Sequence, residues 1–186
     1  MKIQTDNSYL SEKVQLRIES LPKKDVVYVL ECFAGDGLIW KEVKRITKRN
    51  IKILRIDQKE DKKGIYLKGD NLKFLQSMDL SRFDVVDLDA YGECFRQMEI
   101  IFAKKFSGIV HVTYTKHNMA RINYTLLTSL GYSRKMIDKA PTLFAKNLET
   151  VLEQYLAKKG IKKITGYFFN QSHFGKKMYF YFKMIN

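Results

Sequence analysis

The stretch 25–33 (DVVYVLECF) is the feature of the sequence that most limits the folds open to this chain. Its apolar and β-branched residues run on without the alternation of a half-exposed strand, which is typical of a strand covered on both faces in a parallel sheet. A turn that contains Gly35 and Gly37 follows, and 38–50 has the apolar period of an amphipathic helix. The order strand, glycine turn, helix predicts the first unit of an α/β fold.

The same alternation continues through the first two thirds of the chain. Further strands are predicted at 51–57, 64–69, 83–88 and 108–113, and helices at 71–78 and 93–106. Parallel strands need a crossover connection between them, and a helix is the usual one. We therefore expect a doubly wound, Rossmann-like α/β sheet with helices on both faces.

The two ends of the chain add different elements. At the N-terminal end, 9–20 predicts a helix with Ser8 as its N-cap. After residue 115 the pattern predicts helices near 116–130 and 142–159, and then strands at 161–169 and 177–185, which QSHFG separates as in a hairpin. The resulting expectation is one domain, with an N-terminal helical extension (1–24), a half with the glycine turn (25–115), and a closing part of helices and hairpin (116–186).

Charge is the most unusual property of the composition. The 186 residues include 34 Lys and Arg against 20 Asp and Glu, a net charge of +14. A field of this sign attracts polyanions, and nucleic acid is the commonest such partner. A lysine-rich surface that is merely solvated is the alternative.

Cysteine usage and hydropathy narrow the cellular setting. Cys32 and Cys94 form no CxxC or Cys/His cluster, so no metal site is expected. The same cysteine usage predicts a reducing, cytoplasmic location. The first ten residues lack the apolar run of a signal peptide, and no apolar stretch approaches the ~20 residues that span a bilayer. No membrane association is therefore expected.

The glycine turn predicts a nucleotide-like ligand, because glycine lets a ligand approach the backbone closely. Two common uses of such turns do not fit. The dinucleotide fingerprint G-x-G-x-x-G needs a third small residue where this chain has Trp40, and no G-K-[ST] follows as in a P-loop. A plain strand–helix turn that needs glycine is the alternative.

Three carboxylates fall at the ends of the first three predicted strands: Glu31, Asp57 and Asp70. Ligands of open α/β sheets bind at this edge. Asp57 lies about 20 residues after the glycines, where an acidic side chain can accept hydrogen bonds from ribose hydroxyls. Asp70 can accept from an adenine amino group while the following backbone N–H, that of Asn71, donates to the ring. Capping roles are the alternative for both aspartates.

The segment 87–92 (DLDAYG) ends the fourth predicted strand. Asp87 and Asp89 share a face if the strand continues that far. A buried carboxylate pair is costly unless it is hydrogen-bonded or shared with a ligand. Tyr91, two residues on, can stack on a base. A turn stabilised by aspartates and Gly92 is the alternative.

Together these segments resemble a known family. E-x-F-A-G-D-G, I-D, G-D-N and D-L-D-A-Y-G are similar, in order and spacing, to the motif series of class I S-adenosylmethionine-dependent methyltransferases over about 26–115. The last segment also resembles the Asp-Pro-Phe-Gly motif of tRNA (guanine-N2) dimethyltransferases, with Ala90 in place of proline, and more loosely the D/N/S-P-P-Y/F motif of DNA and RNA amino-methyltransferases. The segment 111–115 (HVTYT) is similar in character to the next strand of the guanine-N2 family.

The resemblance implies a seven-stranded sheet in which only the last strand is antiparallel, with 177–185 inserted beside the fifth strand and 161–169 at the edge. It implies S-adenosyl-L-methionine as the cofactor and an exocyclic amine of a base, in RNA rather than DNA, as the target. A DNA amino-methyltransferase and a non-catalytic nucleic-acid-binding protein on the same scaffold remain the alternatives. Methylation of a small molecule or a protein is a further alternative, and the net charge of +14 speaks against it.

The resemblance also assigns roles to residues. Gly35 and Gly37 are implied to line the methionine portion of the cofactor, Asp57 to hold its ribose, and Asp70 and Asn71 its adenine. Asp89 and the backbone near Ala90 are implied to accept from the target amine, and Tyr91 to stack on the base. The remaining residues expected on the cofactor side are Glu31, Phe33 and Asp87.

Overall fold

The structure is a computed structural model, and it describes residues 9–59, 64–116, 123–140, 148–171 and 175–185. Within this part of the chain the strands are β1 (Val26–Glu31), β2 (Asn50–Asp57), β3 (Leu67–Lys68), β4 (Val85–Asp89), β5 (Gly108–Lys116), β6 (Ile164–Gln171) and β7 (Gly175–Met184). The helices are α1 (Leu10–Ser20), α2 (Leu38–Thr47), α3 (Asn71–Ser77), α4 (Phe95–Ala103), α5 (Tyr124–Ser129), α6 (Arg134–Lys139) and α7 (Leu148–Lys158).

The seven strands form one sheet in the order β3-β2-β1-β4-β5-β7-β6. The first five strands are parallel to one another, and β7 is antiparallel to both β5 and β6. The predicted α/β sheet, with the last strand inserted beside the fifth and the preceding strand at the edge, is confirmed.

Helices cover both faces of the sheet, as the unbroken apolar strands predict. On one face α1 and α2 pack over Val27 and Val29 of β1, and Trp40 of α2 is fully buried with them. The larger core on the other face joins α3, α4, α5 and α7 to residues such as Leu30 and Val86. Each fully buried aliphatic side chain of this kind contributes about 1.5–3 kcal/mol of transfer free energy.

The elements after β5 differ most from the sequence prediction. The predicted helix near 116–130 is too long at its start, because Lys116 still pairs in β5 and α5 begins only after Asn123, whose side chain caps it. A second short helix, α6, was not predicted. It follows the break at Gly131 (φ 96°) and buries a single apolar side chain, Ile137, so it is too short to show a period.

Three smaller predictions concern the third strand, the start of α1 and the hairpin turn. The third strand is only two residues long, against the predicted 64–69. Helix α1 begins after Tyr9, which takes a left-handed conformation (φ 56°) at the N-cap position, and the proposed cap Ser8 lies outside the described residues. Most of the predicted QSHFG turn, 172–174, also lies outside them.

Candidate functional site

A cleft of about 500 Å³ opens at the carboxyl ends of the parallel strands. β1 lies between β2 and β4, so the chain leaves it in one direction along the sheet and later returns to its other side. Crevices at such switch points are the usual ligand sites of open α/β sheets. The volume falls within the range of small-molecule and cofactor sites.

Nine of the ten residues predicted as functional line this cleft: Glu31, Phe33, Gly35, Gly37, Asp57, Asp70, Asn71, Asp89 and Tyr91. The tenth, Asp87, lies beneath it. We call Phe33, Gly35, Gly37, Asp57, Asp70 and Asn71 the glycine-turn side of the cleft. The Asp89 side consists of Lys13, Asp89, Tyr91, Thr113, Lys177 and Tyr179.

The glycine turn keeps the backbone open to a ligand. Gly35 and Gly37 have φ values of 51° and 66°, which side chains with a Cβ rarely adopt. At Gly37 a Cβ would also lie 2.6 Å from the guanidinium of Arg55. The Gly37 N–H donates to Ala34 O at 2.7 Å, which closes the turn. The positive φ values therefore favour glycine at both positions, whereas the close approach at Gly37 is to the end of a flexible arginine side chain, which can shift.

Asp57 is held in place by the turn it faces. Its Oδ2 accepts the Gly35 N–H at 2.7 Å, and its Oδ1 accepts the Lys59 N–H at 2.8 Å. Each carboxylate oxygen can accept two hydrogen bonds, so acceptor capacity remains on both. The half-buried carboxylate therefore offers the cleft two fixed acceptors, which suits a pair of neighbouring hydroxyl groups.

Asp70 and Asn71 combine a structural role with a place in the cleft. Asp70 caps α3, since its Oδ1 accepts the Leu72 N–H at 2.9 Å. The buried Asn71 amide donates to Cys32 O at 3.0 Å and accepts from Gln97 Nε2 at 2.9 Å. Asn71 thus joins the end of β1 to α4. The capping alternative is correct for Asp70, and it leaves the other carboxylate oxygen, Oδ2, available to a ligand.

Glu31 is a buried carboxylate at the wall of the cleft. It is 3% exposed, and its Oε2 has no hydrogen-bond partner among the described residues, although Arg55 Nε lies 3.6 Å away. Burial and the nearby charge of Asp87 raise the pKa of the Glu31 carboxyl well above its usual range. The group therefore tends toward its uncharged form and can donate a proton to a hydrogen bond.

Asp87 anchors a buried polar network under the cleft. It is fully buried, and it accepts from Arg17 Nε and Nη2 at 3.0 and 2.8 Å and from Trp40 Nε1 at 2.7 Å. Burial alone would lower the pKa of the Arg17 guanidinium, but the surrounding carboxylates, Asp87 first, raise it. The arginine stays charged and compensates Asp87.

His111 completes this network from β5. Its Nε2 lies 2.8 Å from the Ser20 hydroxyl, and the ring packs edge-on against Trp40. Burial, and then the charge of Arg17, hold the pKa of this imidazole well below its usual value. His111 is therefore neutral and structural, and it does not line the cleft.

Asp89 forms an ion pair with Lys13 of α1. Lys13 Nζ lies 3.0 Å from its Oδ1 and 3.1 Å from its Oδ2, and Thr113 Oγ1 also donates to Oδ1. The Lys13 ammonium is 4% exposed and lies 4.9 Å from the centre of the Tyr179 ring, a cation–π distance. A buried lysine therefore shares the carboxylate expected to receive the substrate.

The two aspartates of β4 meet two cations of α1 in register. Residues two apart on a strand lie on one face about 6.6 Å apart, and residues four apart on a helix lie about 6 Å apart. Asp87 and Asp89 accordingly pair with Arg17 and Lys13. The prediction that these carboxylates share a face is confirmed, and the partner of that face is α1.

Tyr91 stands at the mouth of the cleft, where its side chain is 66% exposed. The short segment before it is tightly held: Ala90 is buried and its N–H donates to Leu88 O at 2.8 Å. Gly92 O accepts the Thr115 N–H, which ties the segment to β5. The aromatic ring is therefore presented on a fixed backbone, as a stacking platform requires.

Sequence reasoning missed the part of the site contributed by distant segments: Lys13, Thr113, Thr115, Lys177 and Tyr179. One signal was available in α1. Lys13 and Arg17 fall on the apolar stripe of α1, with Val14 and Leu16 as buried neighbours. Because charged side chains are almost never buried unless they are paired, two cations on such a stripe indicate buried acidic partners. The residues of β7 gave no comparable signal, because their place depends on the hairpin's register.

The fold is that of class I S-adenosylmethionine-dependent methyltransferases, and solved structures of such enzymes superpose on it. A SAM-dependent methyltransferase from Archaeoglobus fulgidus has 14% identity and a TM-score of 0.53, with 92% of each chain covered. Phosphoethanolamine N-methyltransferase 2 from Haemonchus contortus, solved with S-adenosyl-L-methionine, has 12% identity and a TM-score of 0.60 over 95% of this chain.

A third similar structure is the type I restriction-modification methyltransferase subunit from Streptococcus thermophilus, with 10% identity and a TM-score of 0.54. The match to this subunit covers 98% of the present chain but only 45% of the subunit, and the match to the Haemonchus enzyme covers 53% of that enzyme. The chain therefore spans about half the length of each. No protein-family model and no curated protein sequence matches the chain.

Two further findings concern the described residues only. No helix among them is long and apolar enough to cross a membrane. No group of three or more His, Cys, Asp and Glu side chains among them could hold a metal ion.

Proposed function

We propose that this protein is an S-adenosylmethionine-dependent methyltransferase that modifies an exocyclic amine of a nucleic-acid base, with RNA favoured over DNA. One observation carries the proposal: a single cleft holds a set of fixed acceptors suited to a nucleoside and, next to it, a carboxylate and an aromatic ring suited to a target base. Donor and acceptor of a methyl group must meet in such a place.

The glycine-turn side fits the cofactor. Asp57 accepts from the ribose hydroxyls with its remaining lone pairs, and Asp70 with the Asn71 backbone N–H holds the adenine. Gly35, Gly37 and the half-buried Phe33 line the methionine portion. Glu31 of β1, in register with Asp87 of β4, lines the wall of the cleft, where its carboxyl can bond a polar group of the cofactor. Asp87 acts from below, by holding Arg17 and Trp40 behind this wall.

When bound, S-adenosylmethionine supplies an electrophilic methyl group. The protein's task is then mainly to position the amine. Asp89 Oδ2 accepts one N–H of the amine, which orients the nitrogen lone pair and takes up positive charge as it develops. Tyr91 stacks on the base, which has to leave its neighbours to enter the cleft.

A nucleic-acid substrate is supported by charge. The chain carries +14, and α2, which begins directly after the glycine turn, exposes Lys41 and Lys44. Lysines on such a face contact phosphates without reading sequence. The preference for RNA, and for a guanine-N2 target in tRNA, is supported by the resemblance of the segment Asp89-Ala90-Tyr91-Gly92. DNA amino-methylation is the second candidate.

The test has two parts, since binding and transfer answer different questions. Calorimetric titration with S-adenosylhomocysteine measures the cofactor site, and we expect saturable binding. Transfer of labelled methyl groups to total tRNA, ribosomal RNA and genomic DNA then identifies the substrate, and digestion of the product to nucleosides identifies the modified base. Binding without transfer to any of these would favour the non-catalytic alternative, and absence of binding would overturn the proposal.

A further inference from the structure

Lys13 is an unusual charge among the described residues, because it is only 4% exposed and lies in the proposed active site. It comes from α1, 76 residues before its partner Asp89. Removing both charges from water is costly, and replacing such a pair with apolar residues is often neutral or stabilising. A stability role therefore gives little reason for placing the pair here, at the edge of a ligand cleft.

The hydrogen bonds of Asp89 show what the pair leaves for a ligand. Oδ1 accepts from Thr113 Oγ1 and lies 3.0 Å from the Lys13 ammonium, so little room remains at this oxygen for a further donor. Oδ2 accepts from Lys13 at 3.1 Å and keeps one position. The Asp89 carboxylate therefore offers a hydrogen-bond acceptor, Oδ2, whose negative charge is already balanced by a cation.

We propose that Lys13 is a specificity-determining residue that restricts Asp89 to uncharged amines and excludes alkylammonium substrates. The inference rests on the proposed methyltransferase function and adds a rule for its substrates. A cationic amine bound to Oδ2 would lie roughly 5 Å from the Lys13 ammonium, given ordinary hydrogen-bond lengths. Two like charges at this distance in a partly desolvated site repel strongly. An arylamine, as found on nucleobases, donates to the same oxygen without this repulsion.

The other charges near Asp89 do not reverse this preference. Lys177 is 8% exposed and lines the Asp89 side, and Arg96 also lines the cleft, so both add positive charge to it. Glu31, the acidic residue of β1, stands in register with Asp87 of β4. Its raised pKa favours the neutral form of the Glu31 carboxyl. The cleft around Asp89 is thus poorly suited to a substrate cation.

The first test compares two probes on the wild-type protein saturated with S-adenosylhomocysteine. Aniline and benzylamine have nearly the same shape, but only benzylamine is a cation at neutral pH. Binding is followed by NMR, through the resonances of Tyr91 and Tyr179. We expect aniline to bind at least 10-fold more tightly than benzylamine. Equal or tighter binding of benzylamine overturns the inference, whereas failure of S-adenosylhomocysteine to bind overturns the proposed function instead.

The second test removes the cation. In Lys13→Met the carboxylate of Asp89 loses its counter-ion, and we expect benzylamine to bind on the order of 10- to 100-fold more tightly than to wild type, while aniline changes little. Lys13→Arg keeps the charge and should keep the wild-type order of the probes. Lys24→Met removes an exposed lysine that pairs with Asp84, and serves as the matched control.

Two results of the second test would contradict the inference. One is a Lys13→Met protein that binds S-adenosylhomocysteine as wild type does yet shows no gain for benzylamine. The other is a Lys13→Arg protein that gains benzylamine binding. If Lys13→Met does not fold, the wild-type comparison and Lys13→Arg still decide the question.

Discussion

The two sides of the cleft are built in different ways. The glycine-turn side comes from three consecutive strand ends, and its groups are fixed by local hydrogen bonds such as that from the Gly35 N–H to Asp57. The Asp89 side joins α1, β4, β5 and β7, and it depends on a buried cation from a helix far away in the sequence. The comparison shows that one side of a site can consist of polar groups that are close in the sequence, while the other side consists of charged groups that are far apart in the sequence.

The largest effect is expected where the distant charges are removed. Arg17→Met leaves Asp87 buried with Trp40 as its remaining donor. An uncompensated buried charge of this kind costs about 3–5 kcal/mol, so the free energy of unfolding should fall by this amount in urea titrations. Arg45→Met breaks the exposed pair with Glu42 and should change it by less than about 0.5 kcal/mol. Equal effects for the two variants would mean that the α1 network contributes no more than a surface pair.

A substitution at Asp89 should affect catalysis and leave cofactor binding unchanged. Asp89→Ala should lower turnover by roughly 10²–10³-fold, because the charge that develops on the amine loses its acceptor, while the affinity for S-adenosylhomocysteine stays near wild type. Labelled methyl transfer and calorimetry measure the two quantities. Asp89→Asn keeps an acceptor oxygen and a partner for Lys13 and should be milder. Full turnover in Asp89→Ala would leave 87–92 as a turn without a catalytic role.

Asp57 should show the opposite pattern. Asp57→Ala removes the acceptor for the ribose hydroxyls and the support of the Gly35 N–H, and we expect a loss of about 1–3 kcal/mol in S-adenosylhomocysteine binding. Calorimetry gives this value directly. The control is Asp79→Ala, which removes an exposed cap remote from the cleft. An unchanged dissociation constant in Asp57→Ala would remove this residue from the cofactor site.

The smallest effect is expected at the mouth of the cleft. Tyr91→Ala should weaken substrate binding by about 1 kcal/mol, the low end for base–aromatic stacking, because the ring is 66% exposed. The free energy of unfolding and the cofactor affinity should not change. Tyr91→Phe keeps the ring and should restore the wild-type KM. A KM that is unchanged in Tyr91→Ala would show that the base is held from elsewhere.

The same contrast explains how much the sequence predicted. The strands and the glycine-turn side follow from local patterns, since each strand, turn and carboxylate stands within a few residues of its signal. The strand order and the inserted β7 came from the resemblance to a family. Asp89 and Tyr91 were found for the same reason. Lys13 was not, because a lysine on an amphipathic helix is ordinarily solvated, and its burial depends on how α1 packs across β4. Helix α6 was missed because six residues with one buried side chain carry no period.

The inserted strand also has a consequence for the order of folding. β5 pairs along its full length with β7, whose partner residues lie 60 to 76 positions further along the chain, and contacts of such sequence separation form slowly. Until the hairpin docks, β5 presents an unpaired edge of the kind that recruits other chains. During synthesis the glycine-turn side can assemble once α4 has emerged, because Gln97 of α4 holds Asn71, whereas Lys177 and Tyr179 arrive only with β7. A nascent chain of this protein should therefore bind cofactor before it can select a substrate.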